Sequence, residues 1–337
     1  MNSETMPIKF SVVIPAYNCA GFIAKTLDSV LNQTYPAHEI IVVDDGSQDE
    51  TPRRLERYKE RIIYKRIPNN GPAIARNVGV QMASGNYIAM LDNDDLWFRS
   101  RLERQVDFIR RFPNTGFFCC DFFVRHQHLK NRFSKQYSMI AHDGQILFNE
   151  PLPNAFELLL KYNFVGTPSA VVIRKDIMDR VGAMIADHHY SYDFHYWLRC
   201  AKVTDFVVIG DPLFIKKTRP ECMSADSLAV ELDCRVMLKK TRQIESQYLK
   251  QHGLEREFNL AIARKSYEIG NLYFENGQFL KAFTEYIQSL LTAPRYWVNW
   301  QWFAGALLKK TTRFLSMGLI ARRTIARLID RKNAENY

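Results

Sequence analysis

Apolar positions in the first half of the chain switch between two periods, short β-rich runs and stretches with helical spacing. Residues 10–18 (FSVVIPAYN) read as a buried strand running into a turn, and residues 22–33, apolar at 23, 27, 30 and 31, as a helix. Residues 39–47 (EIIVVDDGS) predict a second strand, Asp49 and Pro52 open another helix, and 62–68 (IIYKRIP) predict a third strand. A helix over 72–83 stops at Ser84-Gly85, and 86–95 (NYIAMLDNDD) give a fourth strand that ends in acid. Such alternation predicts an α/β layer, a mostly parallel sheet flanked by helices. Acidic clusters follow two of these strands at their carboxyl ends, the edge at which open α/β sheets bind ligands.

Further along, 100–111 predict a helix, 116–124 a strand, and the polar, basic stretch 125–150 a loop or a β excursion. A strand follows at 169–176 with a short helix to Gly182; 187–202 pass from a polar loop into an aromatic helix, and 205–217 hold one or two last strands. The β signal ends near 225, which sets the expected boundary between a domain over 1–225 and an all-α C-terminal region. In that region, Gly270, Tyr273, Gly277, Ala282, Tyr286 and Pro294 sit at the offsets of one tetratricopeptide-like unit within a helical segment over 226–294. One copy cannot build a solenoid, so a packed helix pair is expected.

Composition changes this picture little: 47% apolar and 24% charged residues over 337 positions exclude a disordered or low-complexity chain. Six cysteines without a C-x-x-C pair suit neither a disulfide framework nor a zinc site, and a reducing cytosol is the simpler home. The first ten residues lack a leader's basic start and apolar run, so no export signal is expected. The longest charge-free stretch near the end, 296–308, falls short of the roughly 20 residues that span a bilayer.

The net charge of +10 is concentrated at the end: residues 294–337 carry nine basic and two acidic side chains. Trp297, Trp300 and Trp302 directly precede a basic amphipathic stretch, 305–329, with Lys309, Arg313, Arg323 and Arg327 on one face and Leu307, Phe314, Ile325 and Leu328 on the other. Such a tail, 295–337, suits an anionic membrane surface, or else packs its apolar face on the rest of the protein. No helix-turn-helix, RRM, KH or zinc-finger pattern supports nucleic acid as the partner of this charge.

Four strand-end segments carry the candidate chemistry: Pro15-Ala16-Tyr17, Asp44-Asp45, the turn from Gly71 to Asn77, and Asp92-Asn93-Asp94-Asp95. Carboxylates gathered at one edge repel unless a cation or donor-rich ligand joins them, and hard oxygens favour magnesium or manganese, ions that bridge phosphates. The order SVVIPAYN, IIVVDDGS, NGPAIARNVG, SGNYIAMLDNDD resembles glycosyltransferase family 2, inverting nucleotide-sugar enzymes with a GT-A, Rossmann-like fold, over roughly residues 8 to 225.

That resemblance implies a nucleotide base, uracil by preference, against Pro15, Ala16 and Tyr17, with Asp45 accepting from the base edge. The residues alone leave two alternatives open, Tyr17 as a cap on the core and Asp45 as a turn former before Gly46. It implies a nucleotide contact for Arg76, which could equally lie on a solvated helix face, and Mn2+ or Mg2+ on Asp94, with Asp92 on ribose or on metal through water. Asp95 is expected to cap the following helix. The run D-x-x-x-W-L-R at 193–199 resembles the family's E-D-x-x-x-W-L-R element, which makes Asp193 the general base; Tyr192 stands where a glutamate is common. As a residue alone, Asp193 could also be a helix N-cap. His188, His189 and His195 have no ligand spacing and are not expected to bind metal. Arg219 is expected to touch phosphate, while Glu221 and Cys222 stand where relatives carry a histidine.

The implied activity is metal-dependent, inverting transfer of a sugar from a UDP-sugar, or another nucleotide-sugar donor, to a saccharide acceptor. A lipid-linked saccharide, as in surface polysaccharide assembly, fits an enzyme peripheral on the cytoplasmic face of the membrane. The alternative is an inactive family member that binds partners through its C-terminal helices.

Overall fold

All seven residues of β1 (Phe10–Ala16) are buried, as a strand covered on both faces must be. β2 (Glu39–Asp44) and β4 (Tyr87–Met90) flank it in parallel, and β3 (Ile63–Arg66) adds in parallel outside β2. This computed structural model describes residues 7–126, 132–135, 146–218 and 225–294. The remaining described strands are β5 (Leu96–Trp97), β6 (Phe117–His126), β7 (Arg132–Lys135), β8 (Pro151–Leu152), β9 (Val171–Arg174) and β10 (Phe206–Thr218). They form one sheet in the order β3-β2-β1-β4-β9-β6-β10-β5, with β7 on β6 and β8 on β10. β9 runs antiparallel to both β4 and β6, so it joins the parallel half to the parallel pair β6–β10.

Strand order reverses at β1, with β2 and β3 on one side and β4 on the other, and the carboxyl ends of β1, β2 and β4 open on one edge. This switch point is where such sheets bind ligands. The Asn93 side-chain amide donates to the Pro15 carbonyl at 3.0 Å and ties the two strand ends together there.

The helix Pro72–Met82 lies close on β1 because Gly79 has no side chain: a Cβ there would stand 2.4 Å from Val13 Cγ1. Gly79→Ala is therefore expected to lower stability by about 1–3 kcal/mol, the usual cost of overpacking, which a thermal melt reads directly.

Two expectations are refined. The segment 205–217 is one long strand, β10, because two register shifts around Pro212 absorb the Gly210-Asp211-Pro212 interruption without ending the pairing with β6. The helix Ala155–Lys161 lies between 150 and 169, where no element is expected from periodicity.

Met1–Glu257 group into one compact unit. It includes the helices Ser227–Ile244 and Ser246–Gln251, which follow the point near 225 where the β signal ends. A second unit begins at Phe258. Its described part is a hairpin, the helix Glu255–Glu275 from Phe258 onward and the helix Phe279–Thr292, joined through Gly277, whose φ of 74° favours glycine. Gly270 lets the two helices approach, since a Cβ there would stand 2.6 Å from Tyr286 Cε1. Ala282 and Tyr286 form the buried seam with Tyr267, Tyr273 and Phe274 around them. Among the described residues no helix is long and apolar enough to cross a membrane. The tail 295–337 and Arg219 lie outside the described residues.

Candidate active site

The acidic turn after β4 is held from three sides. Thr26 Oγ1 lies 2.9 and 3.0 Å from the carbonyls of Asn93 and Asp95; Ser169 Oγ accepts from the Asp92 N–H at 2.9 Å; the Lys217 N–H of β10 donates to Asp95 Oδ1 at 3.1 Å. Asp95 is thus not the helix cap the sequence suggests: a cap must face free helix N–H groups, and this carboxylate is buried against β10. Burial, followed by Asp94 and Asp92, pushes its carboxyl well above the usual range. Asp94, half-buried, occupies the tip of the turn.

Asp92 is committed on both oxygens, Oδ1 to Arg76 Nη2 and Oδ2 to the Thr167 hydroxyl at 3.1 Å. Arg76 is 2% exposed, which excludes a solvated helix face. Its Nη1 donates to the Tyr192 hydroxyl at 2.6 Å and more weakly to the Pro72 carbonyl at 3.3 Å. The fork expected to meet a nucleotide is therefore engaged inside the protein.

Asp193 stands beside this group, in the first turn of the helix Tyr192–Cys200. The N-cap position belongs to Ser191, so Asp193 is not the cap. Aromatic burial fixes the helix: Trp197 is fully buried, edge-on to Phe117 with ring centres 5.3 Å apart. Its start is anchored by Asp233 of the helix Ser227–Ile244, whose Oδ2 accepts from the N–H groups of Tyr190 and Ser191 at 3.1 and 2.8 Å and from Ser191 Oγ at 2.5 Å. Burial pushes the Asp193 carboxyl up to about 6, against the opposing pull of the Phe194 N–H and the Arg76 guanidinium.

Where the nucleotide is expected, Pro15 and Ala16 are buried within β1, and their carbonyls accept from the Asn93 amide and the Asp45 N–H. Tyr17, next along, is 42% exposed and so does not cap the core. Asp45 is buried and accepts from the N–H groups of Asn70 and Gly71, both at 2.9 Å, which shapes the turn leading to Arg76. Burial raises its carboxyl above the usual range despite those bonds. Asp44 forms the local turn, accepting from the Ser47 N–H at 2.8 Å and the Tyr64 hydroxyl at 2.7 Å.

Asp45, Arg76, Asp92 and Asp193 thus belong to one connected edge. Thr167, Ser169 and Asp233 escaped sequence reasoning, since single polar residues distant along the chain carry no motif. His188 and His195 are buried, and among the described residues no group of three or more His, Cys, Asp or Glu could hold a metal ion by itself. Asp94, at the tip of the acidic turn, is the residue that could hold a cation there, since magnesium is usually bound by one or two carboxylates together with substrate phosphates.

Residues 11–182 match the family described as glycosyl transferase family 2. The amylovoran biosynthesis glycosyltransferase AmsB of Erwinia amylovora is 31% identical over 223 residues, covering 61% of this chain and 68% of that protein. The UDP-Glc:alpha-D-GlcNAc-diphosphoundecaprenol beta-1,3-glucosyltransferase WfaP of Escherichia coli is 44% identical over 103 residues, 29% of this chain and 40% of that one. The chain spans 17% of a similar uncharacterized glycosyltransferase of Rickettsia bellii and 62% of the putative teichuronic acid biosynthesis glycosyltransferase TuaG of Bacillus subtilis. Among solved structures, the mannosyltransferase PcManGT of Pyrobaculum calidifontis, in complex with GDP-Man and Mn2+, superposes with a TM-score of 0.55 at 18% identity, over 92% of this chain and 81% of that one. At that identity the likeness is one of fold, and the fold is the GT-A type expected. With the matched profile covering the strand-end segments from β1 through the acidic turn to Gly182, the chain belongs to glycosyl transferase family 2.

Proposed function

We propose that this chain transfers a sugar from a UDP-sugar to a saccharide hydroxyl with inversion, in polysaccharide assembly, with Asp193 as the general base. The observation that carries the reading is the joining of base and donor edge: Asp193, its carboxyl at about 6, adjoins Arg76, which grips Asp92 of the acidic turn. A base poised near the working pH takes a proton most effectively. Asp193 removes the acceptor hydroxyl's proton as that oxygen attacks the anomeric carbon opposite the departing diphosphate, which inverts the centre.

Tyr17 offers a ring face to uracil, and the lone pairs that Asp45 has left can accept the imide N–H. Asp92, oriented by Arg76 and Thr167, would serve the ribose or, through water, the metal, and Arg219, outside the described residues, is the arginine the family resemblance assigns to phosphate. Asp94 is the residue that would hold Mn2+ or Mg2+, and such a cation supplies charge against the leaving diphosphate. WfaP, by its name, takes glucose from UDP-Glc and acts on a diphosphoundecaprenol-linked sugar, which supports a UDP-sugar donor and a lipid-linked acceptor for this chain. Calorimetry with UDP, with and without manganese, tests the donor: micromolar to millimolar binding that strengthens with the metal is expected, and no nucleotide binding would reject the enzyme reading in favour of a scaffold.

A lipid-linked acceptor places the enzyme at the cytoplasmic membrane face, and the tryptophan-led basic tail is the segment suited to that surface. Deleting 305–337 is expected to release the protein from anionic vesicles while UDP binding stays largely intact, and full-length binding should weaken with salt. Co-sedimentation reads both; full-length protein that ignores anionic vesicles at low salt removes the membrane claim.

A further inference from the structure

Three separate segments meet at the Arg76 guanidinium. Arg76 comes from the helix Pro72–Met82, Asp92 from the acidic turn, and Tyr192 from the first turn of the helix that carries Asp193. The guanidinium is planar, and its two arms reach the two partners, Nη2 to Asp92 and Nη1 to the Tyr192 hydroxyl at 2.6 Å. Arg76 and Tyr192 are 2% and 8% exposed, so water offers no ready replacement for either arm.

We propose that the Tyr192 hydroxyl is a positioning group for transfer: by holding Arg76, it locks the helix of the general base in register with the acidic turn. This rests on the proposed role of Asp193. The hydroxyl is neutral, so the buried guanidinium keeps its charge for Asp92 and Asp193; a carboxylate at 192 would compete for it. Backbone anchoring is a separate matter. Asp233 holds the N–H groups of Tyr190 and Ser191, and Trp197 buries the helix body, so the helix start survives loss of the hydroxyl. What changes is the grip of Arg76, left on that arm with only the weak bond to the Pro72 carbonyl at 3.3 Å.

The test is UDP release from UDP-glucose and from UDP-N-acetylglucosamine by the full chain in manganese, with Tyr192→Phe and Tyr192→Gln beside the wild type. Phenylalanine keeps the ring and removes the acceptor; the glutamine side-chain carbonyl returns an uncharged acceptor. Expected for Tyr192→Phe is a fall in kcat of about tenfold to a hundredfold, the range of a hydrogen bond to a charged group, with donor KM within about threefold and a melt lowered by only a few degrees, so that the protein stays folded at the assay temperature. Tyr192→Gln should recover most of that loss. Wild-type kcat in Tyr192→Phe, equal losses in both variants, or a loss confined to KM would overturn the positioning role. A wild type that binds UDP yet releases none from either of these or from any other UDP-sugar rejects instead the transfer reading on which the role depends.

Discussion

Replacing Asp193 by asparagine is expected to cut sugar transfer by roughly 100-fold or more, the range lost with a general base, while UDP-sugar affinity stays within a few fold. The swap is nearly isosteric, and the helix does not depend on this side chain as its cap, because Ser191 and Asp233 hold the start. The same residue sets a pH dependence. A base works deprotonated, so wild-type turnover should rise with pH through about 6, where burial has moved the Asp193 carboxyl, and fall about tenfold per unit below it. The groups that act on it are Arg76 and Lys216, which favour the carboxylate, and Asp92, which opposes it. Residual turnover of the asparagine variant should lack that limb. Donor affinity lost in parallel with turnover would make Asp193 structural and place the base elsewhere.

Asp94→Asn is expected to abolish turnover and weaken UDP affinity in manganese by about 100-fold, at least the loss seen when outer-shell partners of a metal are removed, while metal-free UDP binding changes little. A neutral amide cannot balance a divalent cation on a diphosphate. Asp92→Asn should disturb the metal dependence less and the fold more, because it strips the buried Arg76 of its counter-charge. Manganese-titrated UDP binding, with melts alongside, separates the two aspartates; an intact metal response in the Asp94 variant would remove it as the ligand.

The parallel half of the sheet was legible because β1, β2 and β4 are short apolar runs ending in turn residues, and their acidic ends then had to share an edge. Tyr17, Asp45 and Asp92 stood out for the same reason, as polar residues where a strand stops, whereas Asp193 stood out through the resemblance of its D-x-x-x-W-L-R run to the family's element. The inward turn of Arg76 was not legible: helical spacing places it but cannot say that Asp92 and Tyr192, 16 and 116 positions away, close around it. Asp95 misled for a related reason, since a carboxylate ahead of a helix reads as a cap until β10 supplies a backbone N–H from 122 positions along. Asp233 had no signal, being one acid among the charged positions of an ordinary amphipathic helix.

The central question is whether this chain cleaves a UDP-sugar at the edge shared by Asp92, Asp94 and Asp193. Screening a panel of UDP-, GDP- and dTDP-sugars for nucleotide release in manganese decides it. The expected result is release from at least one UDP-sugar, lost on chelation and reduced about 100-fold or more in Asp193→Asn. Release undiminished in that variant, or none from any sugar by a chain that binds none of the nucleotides, would contradict it.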